Sequence, residues 1–384
     1  NIYVLTGTST TASLDVSTDN GATFTSRGGA FDPGQFSYNL YLFVHPTDAN
    51  KVYVGTRDLW YSGNGGTNYS NLTNNFTISG GYQPTSARAH PDQHHFAFAP
   101  NDPNTIYISG DGGLFKSTDG GNSFSSLNAS LTLQMYVSID MDPTHPFVTY
   151  GGTQDNGTQK RTSGLSWREF ATGDGGQVIV DPLDTSIVYT TYVNNVVYRR
   201  INYGDTYQAQ IGSDTIFNFD RVAFYPPFVN SGVDSTLYFG TYRLYKSTNR
   251  GVSWTNPAGA TDLTNGGGDV LSAIAISRSN PNVIYVGSGQ GKMMVSTDGG
   301  ANYTNITSGL PTRFLKSITV SPTTPSTVWV TFSGYGTGHV FKSTNSGSTW
   351  TDISGDLPNI PVNTLLLDPR SQSTIYLGTD IGVF

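Results

Sequence analysis

Short runs of alternating apolar and polar residues succeed one another along this chain, and the runs recur in a fixed order. Phe96–Pro100, Ile318–Pro322 and Thr364–Pro369 alternate and then stop at a turn. A β-rich run ending in glycine comes next, as in Val52–Gly55, Ile106–Gly110, Val283–Gly287 and Ile375–Gly378. A third short strand follows, such as Gly113–Lys116 or His339–Lys342. An eight-residue turn signal then leads to a fourth. Period-two alternation broken by turn residues predicts strands. Nowhere do apolar residues recur at helical spacing over two turns or more.

The turn signal reads Ser-x-Asp/Asn-x-Gly-x-Ser/Thr/Asn-aromatic. Clear copies begin at Ser17, Ser117, Ser247, Ser296 and Ser343, with a slightly altered copy at Ser62. Two worn copies, Lys160 to Trp167 and Arg200 to Tyr207, keep only the Gly-x-x-aromatic frame. The shared glycines fall at 21, 66, 121, 164, 204, 251, 300 and 347, so the repeat is 40 to 55 residues long. That is the period of a propeller blade of four strands. In each copy the Asp or Asn should accept hydrogen bonds from backbone N–H groups two residues on. The glycine should supply a positive φ, and the aromatic ring should fill the layer between neighbouring sheets.

These repeats resemble the BNR/Asp-box propellers, which include sialidase-type propellers, the sortilin ectodomain and xyloglucanase-type glycoside hydrolases. The resemblance covers essentially the whole chain and implies an all-β fold, a β-propeller of four-stranded antiparallel blades with Asp-box turns. It implies one propeller over residues 1–384, of about eight blades. The first repeat lacks its first strand and the last stops after the start of its third. The expectation is therefore eight repeats from a longer secreted chain.

Composition narrows the function classes. Of 27 acidic residues only Glu169 is Glu, and Gly numbers 45. Asp and Asn favour turns, whereas Glu favours helices. A net charge of −7, with no basic run, argues against a nucleic-acid partner. The chain has no Cys, hence neither disulfides nor thiolate metal sites. No apolar run approaches the ~20 residues of a membrane helix. Few Lys and abundant Ser, Thr, Asn and Gly fit a secreted or cell-surface bacterial protein.

In such a fold the loops opposite the Asp-box turns carry function. Four segments stand out there: Arg88–His95 (RAHPDQHH), Gly110–Gly113 (GDGG), Gly151–Gly157 (GGTQDNG) and Gly173–Gly176 (GDGG). The same elements, in the same order, resemble a pattern in large secreted bacterial BNR-repeat proteins. As a metal site, His90, Asp92, His94, Asp111 and Asp155 would offer mixed ligands. Hard oxygens suit calcium, and His-Asp sets suit zinc or manganese. As a polar binding site, Gln93, Gln154 and Asn156 would add hydrogen bonds, and the ring faces of Trp60, Tyr61, Tyr82, Tyr242 and Tyr335 would stack on sugars. The expected partner is thus a glycan or another extracellular ligand, such as a protein surface. A glycoside hydrolase is the alternative, with its paired carboxylates drawn from Asp92, Asp111, Asp155 and Asp174. A protein-binding or adhesion scaffold is the third reading. The sialidase resemblance carries no further, because its chemistry uses a Glu-activated Tyr and Glu169 reads as a strand residue.

Overall fold

The structure is a computed structural model that describes all residues except 9, 30, 32–34, 77–87, 132, 133, 165 and 213–219, and of residue 162 the backbone. The described residues are strands and turns, with a single 3-10 turn at Asn128–Ser130. They fall into two compact units, Asn1–Gln134 and Met135–Phe384.

Unit 1 holds three antiparallel sheets in which consecutive strands are hydrogen-bonded neighbours. The first is Ile2–Gly7, Ala12–Ser17 and Thr25–Gly28. The second is Tyr41–His45, Asp48–Gly55, Leu59–Ser62 and Ser70–Asn71. The third is Gln93–Ala99, Asp102–Gly110, Gly113–Ser117 and Ser125–Ser126.

Unit 2 holds six sheets of the same kind. They begin at Ser138, Val178, Phe228, Leu271, Leu315 and Val362. The sheet beginning at Phe228 has three strands, its fourth reduced to one bridge between Lys246 and Thr255. The last sheet also has three, Val362–Asp368, Ser371–Thr379 and Gly382–Val383.

Sheets stack face to face. Strand Leu237–Gly240 is buried throughout. Its Leu237 and Phe239 join Tyr189, Val197 and Trp254 in one cluster, while Tyr238 turns the other way to meet Leu271 and Ile284. Successive side chains of a strand point to opposite faces, so an unbroken apolar run marks a sheet covered on both sides. Tyrosines of the second strands latch one sheet to the next. The Tyr3 hydroxyl donates to Ala49 O (2.8 Å), that of Tyr150 to Tyr203 O (3.1 Å) and that of Tyr285 to Pro325 O (2.9 Å).

The eight-residue turns join third and fourth strands, with one correction to the expected bonding. The Asp carboxylate reaches four residues on rather than two: Asp19 Oδ1 accepts from Thr23 N (2.9 Å), and Asp119 Oδ1 from Ser123 N (2.9 Å). The shorter span belongs to the serine, whose Oγ accepts weakly from the Asp N–H two residues on (3.4 Å at Asp19) and more closely from the Gly N–H four on (2.8 Å at Gly21). Gly21 sits at φ 91°, where a Cβ would be strained. The worn copies join strand pairs whose ladders are interrupted by register shifts. Lys160 replaces the serine and sends Nζ to Tyr203 O (2.9 Å); in the Arg200 copy only the Asn202 to Thr206 side-chain bond (3.0 Å) survives.

The aromatic plug is also less general than expected. Trp254 and Trp350 anchor their indole N–H on Ile211 O (2.7 Å) and Ile306 O (2.9 Å), and Tyr69, Phe124 and Tyr303 pack against apolar clusters. Phe24, Trp167 and Tyr207 are instead exposed.

These turns make a pH prediction. Asp19, Asp119 and Asp298 are each held down to about 2, by bonds from Thr23, from Ser123 and from the Asn302 backbone respectively. A lowered carboxyl contributes stability that is present above its unfolded value, near 4, and is lost as pH falls through the folded one. The chain should therefore lose stability between about pH 4 and 2. Asn64, Asn249 and Asn345 make the same turn uncharged. The triple variant Asp19→Asn, Asp119→Asn, Asp298→Asn should thus fold normally at pH 7 and show a shallower acid limb in thermal melts. An acid limb identical to that of the parent chain would refute this.

Candidate functional site

In a four-stranded meander the second-to-third turns and the inter-sheet connections share one end, opposite the eight-residue turns. In unit 1 that end gathers four segments. Asp92 lies just before strand Gln93–Ala99 with φ 62°, a left-handed conformation that few non-glycine residues adopt. Three backbone bonds hold it there: Asp92 N to Arg57 O (2.9 Å), Gln93 N to Thr56 O (2.9 Å) and Asp111 N to Asp92 O (3.2 Å). Asp111 follows strand Asp102–Gly110, so the two carboxylates meet because their strands are paired. Oxygens of the two lie within 4.8 Å of each other.

Three side chains complete the cluster. The Asn39 amide donates from Nδ2 to Asp92 Oδ1 (2.7 Å). The Tyr38 hydroxyl donates to both Asp111 oxygens (3.2 Å each). His94 Nε2 bonds Asp111 Oδ1 (2.7 Å), and its ring meets that of Tyr38 edge-on at 4.7 Å. Burial, and then the charge of Asp111, push the Asp92 carboxyl up to about 6, against the pull of His90, Arg57 and His94. Asn39 and Tyr38 are absent from the sequence-based set. Asn39 is 53 residues from Asp92, and neither belongs to a recognisable motif.

Several expected site residues are framework instead. Gln93 is 1% exposed, and its Nε2 donates to His90 O (2.5 Å), so it ties the loop rather than meeting a ligand. The His90 ring turns back on Pro91 O through Nδ1 (2.9 Å). Trp60 is 2% exposed, in the core between the first and second sheets, with its indole N–H on Thr56 Oγ1 (3.1 Å). It is no stacking platform, because the strand Leu59–Ser62 has both faces covered. Tyr61 is half-buried against Tyr53. Tyr82 lies outside the described residues.

Unit 2 holds the other two motifs, and they interlock. Asp155, also left-handed at φ 62°, donates its N–H to Asp174 Oδ1 (3.0 Å). Gly157 N reaches Gly173 O (2.8 Å) and Gly175 N reaches Thr153 O (2.9 Å). Asn156 folds back on Gln154 O (2.8 Å from its N–H), leaving the Gln154 side chain exposed. Desolvation, followed by the charges of Asp174 and Asp155, pushes the Tyr225 hydroxyl up. Further along, Tyr242 carries the guanidiniums of Arg221 (4.1 Å) and Arg243 (4.7 Å) over its ring, and these pair with Asp262 and Asp220. Tyr335 remains 59% exposed.

No family model matches this chain, and neither does any curated protein sequence. Solved structures do. The Niastella koreensis GH74 enzyme is 16% identical, covers 98% of this chain and 73% of its own, and has a TM-score of 0.38. YCF48 bound to D1 peptide is 16% identical over 76% of this chain and 91% of its own, at 0.46. A chain of the mitotic checkpoint complex is 11% identical over 78% and 93%, at 0.50. Among the described residues no helix is long and apolar enough to cross a membrane. At 11% identity the likeness to the checkpoint-complex chain speaks to fold alone, and with the sheets described above the fold class is that of an all-β propeller built from four-stranded antiparallel blades.

Proposed function

We propose that this chain is a secreted or cell-surface propeller of the BNR/Asp-box kind that binds a glycan through the Tyr38–Asp92–Asp111 end of unit 1. The observation that carries this reading is the exposed Tyr38 ring, 53% accessible, set beside two carboxylates and His94. A sugar presents an apolar C–H face and a ring of hydroxyls. An exposed aromatic face covers the first, and carboxylates accept from the second.

Retention of the full chain on insoluble cellulose, chitin and xylan, with a glycan array, tests the proposal. Tyr38→Ala and Asp111→Ala should each weaken retention about tenfold, whereas Tyr335→Ala, at another site, should not. Binding that survives Tyr38→Ala unchanged, or retention on none of the probes, would defeat it.

A hydrolytic reading draws on the same pair. Asp92 held up to about 6 beside Asp111 is the division of labour between a general acid and a second carboxylate. Release of reducing ends from the same polysaccharides, abolished by Asp92→Asn, distinguishes it from binding alone.

A further inference from the structure

We propose that Asp92, Asp111 and Asn39 form a calcium site at this end of unit 1, with the ion offering its remaining positions to the hydroxyls of a bound sugar. The proposal rests on the glycan reading and deepens it.

Carboxylates packed this closely are not by themselves a metal site. The further observation is Asn39, which is 1% exposed. Its Nδ2 bonds Asp92, while its Oδ1 is buried and without a hydrogen-bond partner. A buried amide oxygen left unpaired costs free energy. A half-turn of the amide exchanges the two atoms and sets Oδ1 against the Asp92 carboxylate. That arrangement is repulsive with nothing between the two oxygens and favourable once a cation sits there. Asn39 can thus serve both states, as donor to Asp92 without the ion and as ligand with it.

The donor set selects the metal. His94 Nε2 is committed to Asp111 and His90 Nδ1 to Pro91 O. Among the described residues the candidate ligand atoms that gather here are carboxylate oxygens, and no histidine nitrogen joins them. What remains is oxygen: two carboxylates and one amide, which suit a hard cation. Two carboxylates balance the charge of a divalent ion. Calcium takes six to eight oxygens, so three protein ligands leave room for water or for two adjacent sugar hydroxyls. The left-handed backbone at Asp92, locked by bonds to Arg57 and Asp111, keeps its side chain directed at the cluster.

The test is calorimetric titration of the EDTA-stripped full chain with calcium chloride, beside zinc chloride, with thermal melts of the same samples. One calcium per chain is expected, with a Kd of about 10⁻⁴–10⁻³ M and a raised melting temperature. Asn39→Ala should weaken calcium about tenfold or more. Asn39→Asp, which keeps the shape and adds a carboxylate, should bind calcium more tightly and melt lower in EDTA. No heat and no melting shift up to about 10 mM calcium, in a chain folded by circular dichroism, would overturn the site. So would preference for zinc, or calcium affinity unchanged in both variants. Glycan retention that persists in EDTA without any calcium heat sinks the calcium site and leaves the glycan reading standing; calcium binding without glycan retention does the reverse.

Discussion

Gly152→Ala should cost about 3 kcal/mol of stability or more, one of the largest losses available to a single methyl group in this chain. Gly152 ends the strand Thr149–Gly152, paired with Ser138 on one side and Thr158 on the other. A Cβ there would lie 1.9 Å from Gly176 O, 2.9 Å from Gly176 C and 3.0 Å from Gly175 C. Neither partner can retreat. The Gly173–Gly176 segment is held by Gly175 N on Thr153 O (2.9 Å), Gly157 N on Gly173 O (2.8 Å) and Gly176 N on Thr191 O (3.0 Å). Backbone meets backbone, so no side-chain rotation relieves the clash. In thermal melts the variant should fall by roughly 6–12 °C. Gly268→Ala is the control, since its added Cβ would meet nothing within 4 Å. A Gly152→Ala melt within a degree of the parent would show that this interlock yields.

Trp254→Ala should cost about 3–5 kcal/mol, measured by denaturant unfolding. The ring closes the cluster that holds Ile179, Tyr189, Phe228 and Phe239, and its N–H satisfies Ile211 O across 43 residues. Trp254→Phe keeps most of the packing and forfeits the bond, so it should lose less. Phe24 occupies the corresponding place in its own turn, yet it is 47% exposed. Phe24→Ala should therefore cost well under half as much. Equal losses at the two positions would mean that the motif, rather than the burial, sets the energy.

That contrast marks how far local pattern reaches. The copies that keep their serine are legible because their bonds close within four residues, as between Asp19 and Thr23 or Ser17 and Gly21. The glycines of the 151–157 and 173–176 segments are legible as turn residues, but their need for close approach is not, because the atoms they avoid lie on other segments, as Gly176 O does for Gly152 and Gly157 O for Gly175. Likewise His90, Asp92, His94 and Asp111 stand out as chemistry-bearing residues in the chain, and pairing between neighbouring strands brings Asp92 and Asp111 together. Asn39 and Tyr38 carry no such signal. They reach the site only because the segment before the second sheet lies over the loops of the third.

By itself, then, the sequence determined the strand order, the turns and the end of the sheets where polar loops collect, since period-two alternation and short-range hydrogen bonds act over a few residues. Only the tertiary structure decided which ring of a repeated motif is buried, why Trp60 is core and Tyr38 is surface, and which amide faces Asp92. Those outcomes depend on what the neighbouring sheet places opposite each side chain, and residues 40 to 55 positions away are outside the reach of any local pattern.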